Sequence, residues 1–259
     1  MDETRTTDIS IPFPEAAEHH LVVRVGSCRL KVQPSDGRNW VDGNYQGPAD
    51  ALPVDIARQG GTVTISQQRE AWAVSRTAGR DVPSFDLALG TGRPYALSLE
   101  TGASANDLDL GRLPLTRMAV KHGAGKLVVN FSVPNPHPME KLELTSGAGA
   151  MWVRNLANAG FAAMVVKGGA ASYQFDFGGT LKNDASVQIE TGVAEVEVIV
   201  PATTAATIAA AANLGSIEIG DGFMKKDGAF WTEAALAGKT PVLAIQASVT
   251  LGSLKLTVA

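Results

Sequence analysis

A glycine returns along this chain at a nearly fixed interval, with apolar residues set around it in the same pattern each time. Two apolar residues stand five and three places before it, and others follow at some or all of four, six and eight places after it. Around Gly26 they are Leu21, Val23, Leu30 and Val32; around Gly123 they are Met118, Val120, Leu127, Val129 and Phe131. Gly102, Gly147, Gly169 and Gly192 carry the same signature. Gly215 and Gly252 fit it with a turn two residues shorter, Ile217 and Ile219 following the first and Leu254, Leu256 and Val258 the second. From Gly102 onward the intervals are 21, 24, 22, 23, 23 and 37 residues.

Alternation with period two makes each apolar run a strand with one buried and one wet face. Each unit therefore reads as strand, glycine turn, strand, connection. Glycine is needed where the chain takes positive φ or packs backbone closely. A unit of about 22 residues cannot bury its own apolar face, so successive units must stack. The expected fold is all-β: a right-handed β-solenoid-like repeat with parallel ladders between coils. An antiparallel sandwich of hairpins satisfies the same alternation, but the regular interval favours the solenoid. Helix is scarce, and Ala205–Ala212 fits either a short helical turn or the strand due there.

The long last interval holds an insertion, Gly220 to Pro241, with two tight-turn dipeptides, Asp221-Gly222 and Asp227-Gly228. It reads as a β-excursion with Phe223, Phe230 and Trp231 packing on the solenoid end. The first part of the chain differs. After the Gly26 unit come Pro34, Asp36-Gly37 and Pro48, with strands expected at Asn39–Gln46, Val54–Arg58 and Thr62–Gln67. Gly60-Gly61 is the hairpin turn between the last two, and Ala73–Val82 is a polar loop. This gives a β-rich N-terminal cap, residues 1–95, and a repeat domain, residues 96–259.

Composition removes several function classes. Lys+Arg number 22 against Asp+Glu 26, a net charge of −4, so there is no basic field for nucleic acid. Hydrophobic residues at 45% are enough for a core, which argues against disorder. Cys28 is the sole cysteine, so there is no disulfide framework. No run approaches the length of a transmembrane helix. The polar start Met1-Asp-Glu-Thr-Arg-Thr-Thr7 lacks the apolar segment of a signal peptide. Either the protein stays in the cytoplasm, or an export signal preceded this start and was removed.

The repeated His122-Gly-Ala-Gly125 and Ser146-Gly-Ala-Gly149 turns, each between alternating strands, resemble the bacterial toast rack family. So do Leu113-Pro-Leu-Thr-Arg-Met-Ala-Val120, Asn135-Pro136, Met139-Glu-Lys-Leu-Glu-Leu144 and Asn155-Leu-Ala-Asn-Ala-Gly-Phe161. That family pairs an N-terminal domain of unknown function with a C-terminal domain similar to that of LiaF-type envelope-stress regulators and to adhesin-type domains. The resemblance covers nearly the whole chain, most strongly from Tyr95 to Val200. It implies a β-solenoid-like fold, an envelope or extracytoplasmic location and no catalytic residues. The chain departs from the pattern at Gly169-Ala-Ala171 and Gly192-Val-Ala194, where the second glycine is replaced.

Catalytic motifs fail on inspection. Gly123-Ala-Gly-Lys126 lacks the earlier glycine and the following Ser or Thr of a phosphate loop, with Val120 and Leu127 standing there, and a strand rather than a helix follows. Val128 and Trp152 stand where a dinucleotide fingerprint needs its third glycine. His19, His20, His122 and His137 have no cysteine cluster beside them and read as exposed strand or turn histidines, so no metal site is expected. There is no nucleophile elbow, and Cys28 reads as a small packed residue. No cofactor is implied.

The outward positions are more informative. Glu100 beside Lys121 forms a complementary pair on adjacent coils. Asp107 and Asp109, like Glu195 and Glu197, put two acids on one face of one strand, about 7 Å apart. That spacing suits glycoside chemistry or calcium, although alternating acids on a wet face more often serve solubility. Trp152 alternates with Met151 and Val153 and should point outward, either to a partner or sugar or against the N-terminal domain. Asp107, Asp109 and Trp152 are therefore the candidate contact residues. The leading reading is a non-enzymatic interaction, sensor or adhesin-like scaffold whose partner is an unknown protein or glycan at the cell envelope. A carbohydrate-active enzyme on a solenoid and a purely structural module are the alternatives.

Overall fold

The computed structural model describes residues 4–48, 54–67 and 82–259. The segment expected to be a loop, Ala73–Val82, lies outside the described residues except for Val82. Seven strands form the N-terminal part: β1 Thr4–Ile11, β2 His20–Val25, β3 Arg29–Ser35, β4 Val41–Pro48, β5 Val54–Gln59, β6 Thr62–Gln67 and β7 Ser84–Gly90. Long strands follow: β8 Tyr95–Asp109, β9 Leu115–Asn130, β10 Met139–Arg154, β11 Phe161–Asp176, β12 Ala185–Val200 and β13 Ala205–Ile219. Then come the hairpin β14 Phe223–Lys226 and β15 Ala229–Thr232, the helical turn α1 Glu233–Leu236, and β16 Val242–Val258.

Among the described residues all sixteen strands belong to one sheet. From β8 to β12 each strand pairs in parallel with the next in chain order. The ladder is parallel throughout these coils, so the sandwich of hairpins is not what the alternation encodes. The Gly26 unit joins the same ladder as two strands, since β2 and β3 both lie parallel to β8. Ala205–Ala212 is strand, not helix.

The coil glycines after Gly26 do not separate two strands; they sit inside one. Ser146↔His122 and Ala148↔Ala124 pair on either side of Gly147, so the ladder runs through it. Parallel neighbours on both sides supply the backbone partners that a free turn would have to find within itself. What changes at the glycine is the phase of burial. In β9 the buried positions from Met118 onward are Met118, Val120 and His122, then Leu127 and Val129. The inward side thus switches from even to odd numbers, and the strand bends there around a corner of the core.

Two apolar half-cores result. One contains the register column Leu97, Met118, Leu142, Met164, Val187 and Ile245, the other Leu108, Val129, Val153, Phe175, Val198 and Leu256. All twelve are buried. Between them, on the inner side of the corner, the column Thr101, His122, Ser146, Gly168, Thr191 and Val249 carries four buried polar side chains.

Two expectations about the C-terminal end are corrected. Gly252 pairs with Ala194, and Gly215 with Gly252, so both align with the second glycine of the Gly-Ala-Gly corner, not the first. The corner is no shorter; Thr250 and Asn213 occupy its first position. A Cβ on Gly252 would stand 2.0 Å from the Ala194 carbonyl oxygen, and its φ is +130°. Close backbone approach at this second column excludes a side chain as firmly as at the first.

The second correction concerns order. The sheet runs β12-β16-β13, so the last strand lies between two that precede it. The insertion is the crossover that allows this: β14 and β15 form an antiparallel hairpin, and β15 pairs with the start of β13 at Thr207 and Ile208. Phe223 and Phe230 pack on the main core, and Trp231 packs with Ala205, Ala234 and Ala235.

Candidate functional site

The outer face of the second half-sheet carries its side chains in register rows. One row reads Asp107, Val128, Trp152, Gln174, Glu197, Lys255 and Glu218 across seven parallel strands. Trp152 is half-buried near its middle, and Lys126 Nζ stands 5.0 Å from the indole centroid, a cation–π distance. Further along, Gln174 Nε2 donates to Glu197 Oε2 at 2.9 Å and Lys255 Nζ lies 3.0 Å from Glu197 Oε1. The Gln174 hydrogen bond first, and then Lys255, hold the Glu197 carboxyl below its ordinary range.

Asp107 and Asp109 share a strand but not a role. The Asp109 carboxylate accepts from Ser132 Oγ at 2.7 and 2.9 Å and from the Gly111 amide at 3.0 Å. It ties the β8–β9 connection to the β9–β10 connection. Asp107 instead stands in a cleft of about 480 Å³ between the N-terminal strands β4, β7 and β3 and the coils β8 and β9. Arg29, Lys31, Asn44, Gln46, Ser84, Asp86 and Lys126 line the same cleft.

Sequence reasoning missed the N-terminal contribution. Arg29 and Lys31 alternate outward after Gly26, and placing β3 on β8 sets Arg29 opposite Ala105 and Lys31 opposite Asp107. That alignment was available from the repeat, but the pairing of β7 and β4 beyond β3 was not.

Other expectations fall where the register sends them. Glu100 pairs with Lys121 at 3.8 Å, and Arg24 joins from the next strand at 3.2 Å. His122 is not exposed: it is 3% accessible, with Nδ1 2.9 Å from Thr101 Oγ1. His19 is also buried, its ring against the Pro14 carbonyl at 3.1 Å. Both side chains lie on inward positions, where the corner and the N-terminal strands enclose them. Burial pushes the Cys28 thiol up to about 12. Among the described residues there is no group of three or more His, Cys, Asp or Glu side chains placed to hold a metal ion. Among the described residues no helix is long and apolar enough to cross a membrane.

A family model described as the N-terminal domain of toast_rack matches residues 1–154. No curated protein matches. Among solved structures, a "putative cell adhesion protein" from Clostridium sporogenes is 15% identical over 99% of this chain and 100% of its own, with a TM-score of 0.57. A "putative adhesin" from Bacteroides fragilis is 12% identical over 99% and 98%, with a TM-score of 0.42. A "putative lipid binding protein" from Parabacteroides distasonis is 13% identical over 99% and 97%, with a TM-score of 0.47. The Clostridium structure shares the fold.

Proposed function

This chain belongs to the toast rack family, and from that premise we propose that it is a non-enzymatic recognition scaffold of the cell envelope. The observation that carries this is the outer face: register rows on parallel strands hold polar and charged side chains at fixed strand spacing, with Trp152 among them. Such a face is rigid before binding, so little ordering entropy opposes association. Asp109 is occupied by Ser132 and Gly111, so the Asp107–Asp109 pair is not a pair of free carboxyls, which weighs against glycoside chemistry there. The name given to the Clostridium structure agrees with an adhesion role.

The test is fractionation of cells expressing the native gene, followed by crosslinking. Recovery with the envelope, with a crosslink through the Trp152 face, is the expected result. Recovery in the cytosol overturns the proposal.

A further inference from the structure

The cleft holding Asp107 gathers five charged side chains, Arg29, Lys31, Asp86, Asp107 and Lys126. Several charged side chains outside it are paired: Arg24 and Lys121 on Glu100, Arg112 on Asp36, Arg117 on Glu140, Lys141 on Glu143, Lys255 on Glu197. In the cleft, none of Arg29, Lys31, Lys126, Asp86 and Asp107 makes an ion pair among the described residues. Lys31 even stands in register with Asp86 on one side and Asp107 on the other without closing on either.

The two rows of the cleft also differ: one holds cations without acids, the other sets Lys31 between two acids. One row across the strands reads Gln46, Ser84, Arg29, Ala105, Lys126 and contains no acid. Arg29 and Lys126 are two strand spacings apart, about 10 Å, with the small Ala105 between them. The neighbouring row reads Asn44, Asp86, Lys31, Asp107, Val128 and supplies the carboxylates and an amide. Next to it on β10 comes Trp152.

We propose that this cleft binds a carboxylate-bearing glycan, its acid group on Arg29 and Lys126, its hydroxyls on Asp86 and Asp107. Each part of the lining selects against a simpler ligand. Free phosphate or an acidic peptide brings its own negative charge up to two carboxylates and lacks the row of adjacent hydroxyl donors that a sugar offers them. A neutral glycan leaves Arg29 and Lys126 without a counter-charge. A sugar acid satisfies both rows, and its pyranose face matches the apolar step formed by Ala105 and Val128. This rests on the recognition reading above and names its ligand class.

The experiment is titration calorimetry on the full chain with oligogalacturonate, hyaluronan fragments and muramic-acid-containing peptidoglycan fragments. Each is compared with its carboxyl-esterified form, and a polyglutamate peptide of equal charge is the control. At least one glycan acid should bind, with esterification and the R29Q/K126Q double substitution each weakening it about tenfold or more, as expected for lost charge-assisted hydrogen bonds. Lys239→Gln, an exposed lysine between α1 and β16, should leave binding unchanged, and near-native unfolding midpoints show that the variants fold. No binding to any of the three acids, equal binding of polyglutamate, or indifference to R29Q/K126Q overturns the proposal. Envelope recovery with any of those results would leave the recognition scaffold standing and remove only this ligand.

Discussion

Thr101 Oγ1 and His122 Nδ1 lie 2.9 Å apart inside the corner, on adjacent coils, with Asn106 Nδ2 within 3.2 Å of both. This is a polar contact between two apolar half-cores, and it makes the fold sensitive to acid. Burial lowers the His122 pKa below its ordinary 6.5, so the native state keeps the ring neutral while the unfolded chain takes up a proton below that pH. His20 is shifted the same way, by burial first and then by Arg117 and Arg24. Stability should be full above pH 6.5 and decline as pH falls below it. Urea midpoints between about pH 5 and 8 should show this, and His122→Gln should shrink the decline without removing the His20 share. A midpoint rising toward acid pH would contradict it.

Val198 is fully buried while Glu190, on the outer face of the same strand, is exposed. Val198→Asp should cost about 3 kcal/mol or more by burying a charge, and Glu190→Ala should change stability by less than about 0.5 kcal/mol. Equal losses in chemical denaturation would show that the burial alternation is misplaced.

At Gly149 a Cβ would stand 2.0 Å from the Gly125 carbonyl oxygen, and φ is +112°. At Gly60 φ is +57° but nothing lies within 4 Å. Gly149→Ala should therefore destabilise by several kcal/mol, since backbone must move, whereas Gly60→Ala should cost only about 1 kcal/mol for its left-handed conformation. Thermal unfolding of the two variants gives the comparison.

Cys28 is 1% accessible and its thiol is raised to about 12 by desolvation. A thiol reagent at pH 8 should label it only at the rate at which the surrounding strands open, and mild denaturant should accelerate labelling. Rapid stoichiometric labelling of the native protein would mean the first coil is open.

Much of this architecture was legible because the repeat is written in apolar side chains. The offsets before and after Gly123 already contain the corner, since odd offsets precede it and even offsets follow. What they do not contain is the backbone's continuity through the glycine, which depends on neighbours above and below. Gly215 and Gly252 illustrate the ambiguity: with one glycine per corner, nothing local says which of two tight columns it occupies. His122 was read as exposed because a polar residue beside a glycine suggests a turn, whereas the inner side of a corner encloses it. For the candidate site, Trp152 and Asp107 followed from alternation alone. Arg29 and Lys31 needed the pairing of β3 with β8, and Asp86 needed the order β4-β7-β3, which no periodicity encodes.

The place of β16 bears on how such a fold can change in length. Between β8 and β12, sheet order follows chain order, so duplicating a unit there adds a lane where the chain already passes. A unit duplicated after β16 would emerge with β12 on one side and β13 on the other, both lanes taken. Lineages of this fold that gained or lost coils should therefore differ in the middle of the gene, with the crossover hairpin and its returning strand kept as one heritable block.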